Sequence, residues 1–366
     1  VALGDVLSFF GAVADHAAGE PPEGGERVTA LAVAMARLAG LPAAECDALY
    51  FAALLRNTGV LGNAAYAKGD PLEERAAVMA RWDIPAQGAR TCEHIAALPK
   101  PVADMVRWQS ENWDGMGYPD QLRWAGVPKS AQLLHIAKTY VSSTDADEAL
   151  ACISSESGRT FGPEAARTFV MWFHTFGGEI EPLSPPHHAL DESAQTPEDL
   201  LAMLADLVDR HNGTPQRAQR IAQRSEDIGR VLRLEEHDLV ALKRASQLFG
   251  IGELRAAALE SQQFDALARL GIETRAAHAM RAASLLARHS FVAEAAPIVR
   301  SRAEWYDGTG APEGLRHADI PAAAAVLSLS IAYDALDDMY RIETAAGTQF
   351  DPRTVRALAD VLKARA

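Results

Sequence analysis

The feature that most constrains this chain is that it contains the same stretch twice. Residues 112–128 read NWDGMGYPDQLRWAGVP and residues 305–321 read WYDGTGAPEGLRHADIP. Other pairs keep the same order along the chain. Arg27 in GGERVTALAV pairs with Arg217 in TPQRAQRIAQ at an offset of 190, and Gly59 in LLRNTG with Gly250 in ASQLFG at 191. Asp114 pairs with Asp307 at 193, and Pro163 in GRTFGP with Pro352 in GTQFDP at 189. The leaders also correspond, GDVLSFFGAVADHAAGEPP with EDLLAMLADLVDRHNGTP. Small drifts at constant order indicate one module duplicated, with loop insertions. The expected organisation is a module over 1–181, a linker over 182–199 rich in Pro, Ser and acidic residues, and a module over 200–366.

Each module reads as helical. In ERVTALAVAMARLAG, Val28, Leu31, Met35 and Leu38 fall on one helical face. Gly40 supplies a stop and Pro42 starts PAAECDALYFAALLR. No segment alternates convincingly like a strand, so the expected fold is all-α, two tandem helical bundles related by duplication. The formal net charge of −14 disfavours a large nucleic-acid footprint. Cys46, Cys92 and Cys152 are scattered and predict a reducing compartment without structural zinc. No apolar run approaches the roughly 18 residues of a membrane span. The opening helix lacks a basic leader and does not read as a secretory signal, so a cytoplasmic protein is expected, without a membrane partner and, given the charge, without nucleic-acid contact by this piece.

The Asp-Gly-x-Gly-x-Pro loops, ENWDGMGYP at 111–119 and the following GRTFGP at 158–163 resemble the HD-GYP branch of the HD-domain phosphohydrolases. The likeness runs over nearly the whole chain, one module at a time. It implies helical bundles of the HD-domain type. Active members hold two or three metal ions, often iron or manganese, and hydrolyse cyclic di-GMP. Carried onto this sequence, the resemblance places Gly24 where the first ligand His belongs and Arg56 and Asn57 at the His-Asp dyad. Val60 replaces the next lysine, Ile84 the His before Pro85, Gln109 and Ser110 the His-His pair, and Lys138 the late Asp. In the second module Thr214, Gln247, Leu248, Arg302, Ala303 and Ile331 take these places, and only His278 keeps a ligand type.

Divalent metals need several converging anionic or imidazole ligands, and cationic replacements oppose them. Without a metal, no water is activated by that route. The expectation is therefore no catalytic residue, no metal and no cofactor: a pseudo-enzyme with a regulatory, sensory or scaffolding role in bacterial signalling. The alternative is a metal-dependent cyclic di-GMP phosphodiesterase with a relocated site. His187 and His188 are expected to be exposed linker residues, and His94, His135, His174 and His289 surface or satisfied core residues.

The first vacated site is polar and cationic. Arg56, Asn57, Gln109, Ser110 and Lys138, with Tyr118 of the loop, form the candidate ligand-binding set. Buried like charges are expensive. Either Arg56 and Lys138 reach solvent, or a carboxylate such as Glu26 or Asp114 lies between them, or a ligand phosphate does. A cyclic dinucleotide or another anionic ligand is the candidate partner, beside a homodimer or protein partner. The second site is expected to be a filled apolar core around Leu248, Ala303 and Ile331, with Arg302 turned to solvent. Tandem degenerate units also resemble the front part of LuxR-type regulators, which implies a DNA-binding element beyond residue 366.

Overall fold

The computed structural model describes residues 1–21, 23–62, 74–254 and 274–365. It divides into two compact units, Val1–Leu200 and Leu201–Ala366. Among the described residues all regular elements are helical, and the only β-bridges are two isolated ones, Ser157–Phe161 and Ala346–Phe350.

Unit 1 comprises α1 (Leu3–Ala18), α2 (Gly24–Leu38), α3 (Ala43–Leu54), α4 (Thr58–Leu61), α5 (Glu74–Glu93), α6 (Pro101–Arg107), α7 (Lys129–Ser142), α8 (Ala146–Ser155) and α9 (Pro163–Phe176). α2 packs against α3 and α7, and α4 against α5. Phe9, Phe10, Leu31, Met35, Leu49, Phe51, Leu133 and Ile136 are fully buried among them. α2 stops just before Gly40, which adopts φ +71°, and α3 begins one residue after Pro42. Asp145 caps α8, accepting the Asp147 and Glu148 amides at 2.9 Å each.

Unit 2 comprises α10 (Pro197–His211, in which the division falls), α11 (Arg217–Val231), α12 (Glu236–Leu248), α13 (Thr274–Ala287), α14 (Ala295–Arg300), α15 (Ala322–Leu336), α16 (Met339–Thr344) and α17 (Pro352–Arg365). Single-turn helices follow α12 at Phe249–Glu253 and α14 at Ser301–Ala303. The packing repeats: α11 lies against α12 and α15, and Ile221, Leu242, Leu248, Phe249 and Leu327 fill the core.

The twin loops are backbone devices. In unit 1 the Trp113 and Asp114 amides donate to the Thr160 and Arg159 carbonyls at 3.0 and 2.9 Å. In unit 2 Tyr306 and Asp307 do the same to Gln349 and Thr348 at 3.1 and 2.9 Å. Each loop is thus pinned to the turn before the helix-opening proline, Pro163 or Pro352. Asp114 and Asp307 accept the amides two residues on at 2.9 Å. A Cβ on Gly117 would collide with the Asn112 amide, and one on Gly310 with the Trp305 amide, so only glycine fits. Behind each loop a buried carboxylate gathers its amides. Glu111 takes those of Asp120, Gln121 and Leu122 at 2.6, 3.0 and 3.1 Å, and Glu304 those of Glu313 and Leu315 at 2.7 and 3.0 Å. These bonds give the loop the same structural work in both units.

Candidate functional site

In unit 1, α3 ends at Leu54 and α4 starts at Thr58, and the turn between them delivers Arg56 and Asn57 to the bundle centre. Arg56 is fully buried, neither solvent-facing nor bound to Glu26 or Asp114. Its guanidinium pairs with Asp15 of α1, Nη2 to Oδ1 at 3.1 Å and Nη1 to Oδ2 at 3.2 Å, and with Glu20 just after α1. Asn57 Nδ2 donates to both carboxylates at 2.8 Å. Glu26 is exposed, and Asp114 holds the Met116 amide. A Cβ on Gly25 would strike Asp15 Oδ2, so the glycine beside the vacated Gly24 position makes room for this pair. Burial, with repulsion from Glu20, raises the Asp15 carboxyl to about 6 against the pull of Arg56. The two carboxylates keep Arg56 charged despite its burial.

Gln109 and Ser110 arrive on the turn after α6, Lys138 on α7. Gln109 Nε2 donates to the Arg56 carbonyl at 2.8 Å, and Lys138 Nζ donates to Gln109 Oε1 at 2.9 Å. The structure therefore brings Arg56, Asn57, Gln109, Ser110 and Lys138 together, in two layers. Arg56, Asn57 and Gln109 are spent on internal partners. Lys138, Ser110 and Tyr118 line an open pocket of about 460 Å³ with Asn112, His135, Thr139, Ser142 and Ser143. Tyr118 stacks on half-exposed Trp82 with ring centroids 6.1 Å apart. Burial, reinforced by Arg56, lowers the Lys138 amine to about 8. Burial and Lys138 lower His135 to about 4, so its imidazole is neutral near pH 7. Its Nδ1 lies 3.3 Å from the Glu111 carbonyl. His187 and His188 are exposed, and His188 Nε2 lies 3.0 Å from Asp47 Oδ2.

Unit 2 corrects two expectations. The first concerns register. Gly59 seats α4 against the Ile84 carbonyl, where a Cβ would collide, and Gly252 does the same against the His278 carbonyl. Ile84 and His278 are therefore equivalent, and Gly252, not Gly250, is the counterpart of Gly59. The dyad positions of unit 2 are then Phe249 and Gly250, not Gln247 and Leu248. The second concerns Arg302. It is buried, not turned to solvent, and its guanidinium lies 5.4 Å from the Phe249 ring centroid, with Arg217 at 4.9 Å. Leu248 is fully buried as expected of a filled core, while Ala303 and Ile331 are half-buried. Thr214 ends the leader, with its hydroxyl 3.4 Å from the Asp209 carbonyl.

A family model described as HD domain matches residues 12–164 and 200–351, one copy per unit. The chain belongs to the HD-domain family. This HD-domain chain is 26% identical over 255 residues, 64% of its length, to the 3'3'-cGAMP-specific phosphodiesterase 3 of Vibrio cholerae serotype O1 (strain ATCC 39315 / El Tor Inaba N16961). It spans about half the length of that relative, 54%. Its fold is similar to the crystal structure of the V. cholerae cyclic GMP-AMP-specific phosphodiesterase V-cGAP3, with a TM-score of 0.66 and 18% identity. That likeness covers 99% of this chain and 98% of the other.

The metal that the family resemblance implies does not fit the donors present. A guanidinium occupies the centre of unit 1 and consumes both nearby carboxylates, while a phenyl ring with two guanidiniums occupies that of unit 2. Among the described residues no group of three or more His, Cys, Asp or Glu side chains could hold a metal ion. No helix among them is long and apolar enough to cross a membrane.

Sequence reasoning missed Asp15 and Glu20 in unit 1 and the roles of Phe249 and Arg217 in unit 2. The available signal was the buried charge of Arg56, which demanded a partner. Nothing local in the sequence named α1 as its source.

Proposed function

We propose that this chain is a pair of degenerate HD-GYP-like modules that do not hydrolyse. They serve as a regulatory, sensory or scaffolding part of bacterial cyclic-dinucleotide signalling, and the first pocket binds an anionic nucleotide. The observation that carries the reading is the Arg56 guanidinium locked between Asp15 and Glu20 at the dyad position. A cation fixed there by two carboxylates opposes a second cation. The pocket above it offers what a phosphodiester ligand uses: the Lys138 ammonium, hydroxyls from Ser110, Thr139, Ser142 and Ser143, the Asn112 amide and the Tyr118 ring. The cyclic-dinucleotide class is suggested by the relative's printed specificity. Placement in the cytoplasm, ahead of a LuxR-type DNA-binding domain, belongs to the same reading.

The test is calorimetric titration of 3'3'-cGAMP and cyclic di-GMP against the chain and its Lys138→Ala variant, with product analysis after incubation with manganese. The reading predicts saturable binding that weakens at least tenfold in the variant, and no linear product. No binding by the parent ends the ligand proposal. Manganese-dependent turnover favours the phosphodiesterase with a relocated site.

A further inference from the structure

Unit 2 carries an arginine cluster that the first-pocket reading does not use. Arg217 opens α11, Arg275 lies in the first turn of α13, and Arg302 sits in the turn Ser301–Ala303. Arg217 and Arg302 both lie over the Phe249 ring. Glu253 is shared between them unequally. Its Oε2 accepts Arg217 Nη1 at 2.7 Å, while its Oε1 is 3.7 Å from Arg302 Nη2, beyond hydrogen-bonding range. Asp209, the counterpart of Asp15, lies close enough to Arg217 to feel its charge, but its Oδ2 accepts the Ala218 amide at 2.7 Å.

The Arg302 side chain is only 4% exposed, and its Nε and Nη2 have no hydrogen-bond partner among the described residues. Burial, Arg217 and Arg275 all disfavour its charge, opposed by Glu253 alone. A buried guanidinium with unmade donors is costly, and its fork is shaped for two oxygens of one anion. Arg217 and Arg302 share the Glu253 carboxylate, which leaves the Arg302 donors to be met by an anion that offers two oxygens. A tetrahedral phosphate matches both the charge and the forked donors.

We propose that the Arg217–Arg302 cluster on Phe249 is a phosphate-group binding site of unit 2, separate from the Lys138 pocket of unit 1. The phosphate comes from inorganic phosphate or from a nucleotide. Bound there, it ties the Ser301–Ala303 turn to the start of α11 and stabilises unit 2.

The experiment is thermal unfolding of the whole chain in phosphate-free buffer at constant ionic strength. It is titrated in one arm with inorganic phosphate and in another with 3'3'-cGAMP, for the parent, Arg302→Met and Lys138→Met. The expected result is saturable stabilisation of the parent by phosphate, an at least tenfold weaker response in Arg302→Met, and an unchanged one in Lys138→Met. A response to the nucleotide alone that still depends on Arg302 also supports the site and names the nucleotide as the source. A parent indifferent to both probes overturns the inference, as does a response equal in Arg302→Met or one lost in Lys138→Met. Should Arg302→Met fail to fold, Arg302→Lys keeps the charge without the fork, and an undiminished response in it overturns the inference equally. An Arg302-dependent phosphate response without any nucleotide binding sinks the first-pocket reading and leaves this one standing.

Discussion

In unit 1 one guanidinium sits between two carboxylates; in unit 2 two guanidiniums share one carboxylate and a phenyl ring. The shell around the two centres is nearly the same, down to the glutamate that gathers the loop amides. The twin loop therefore does not determine what fills the centre. Unit 1 balanced its buried charge with side chains of its own chain, and unit 2 left part of the balance unmade. Buried charge thus separates a closed internal network from a centre suited to an external anion.

The largest effect should separate the two arginines. Arg56→Met strands Asp15 and Glu20 and should cost unit 1 about 3–5 kcal/mol. Arg302→Met, in phosphate-free buffer, removes a poorly paired charge and should cost less than about 1 kcal/mol or stabilise. Chemical denaturation of both variants checks this, and equal costs would erase the contrast drawn between the units.

The second effect concerns pH. Lys138 has its folded value lowered to about 8, against 10.5 for an ordinary lysine amine. Between those values the unfolded chain binds more protons, so the Lys138 contribution to stability rises with pH. Below pH 8 its buried charge carries the full penalty. Lys138→Met should therefore gain on the parent by at most about 3 kcal/mol at pH 7, and the gain should fade by pH 10. Paired denaturation curves across that range measure it, and a pH-independent difference would contradict the placement of Lys138.

The third prediction sharpens the likeness. Glu111→Ala and Glu304→Ala each strand loop amides in a buried setting and should each cost about 2–3 kcal/mol. Markedly unequal losses in denaturation would show that the loops are not equivalent scaffolds. Smallest is Gly25→Ala, whose methyl must displace Asp15 from Arg56; it should cost about 1–2 kcal/mol in the same assay.

Much of this was legible in the sequence. The twin loops and the helical bundles followed from motif order and helical spacing, and the cluster of Arg56, Asn57, Gln109, Ser110 and Lys138 from the family resemblance. The partners of Arg56 did not, because Asp15 and Glu20 lie on and just after a helix that reads only as amphipathic, and burial alone reveals the need for them. The register of Phe249 and Gly250 was hidden because ASQLFG and LLRNTG share a glycine that performs different work. Only the collisions at Gly59 and Gly252 reveal which glycine seats its helix. Arg302 was expected in water because arginine usually reaches it. Here Phe249 gives its guanidinium a face to stack on instead.

The most direct test of the central claim, a guanidinium network in place of a metal centre, is elemental analysis of the purified chain after exposure to manganese and iron. The account predicts far less than one ion per chain, and the same for an Arg56→Lys variant. Stoichiometric metal retained by the parent would contradict it.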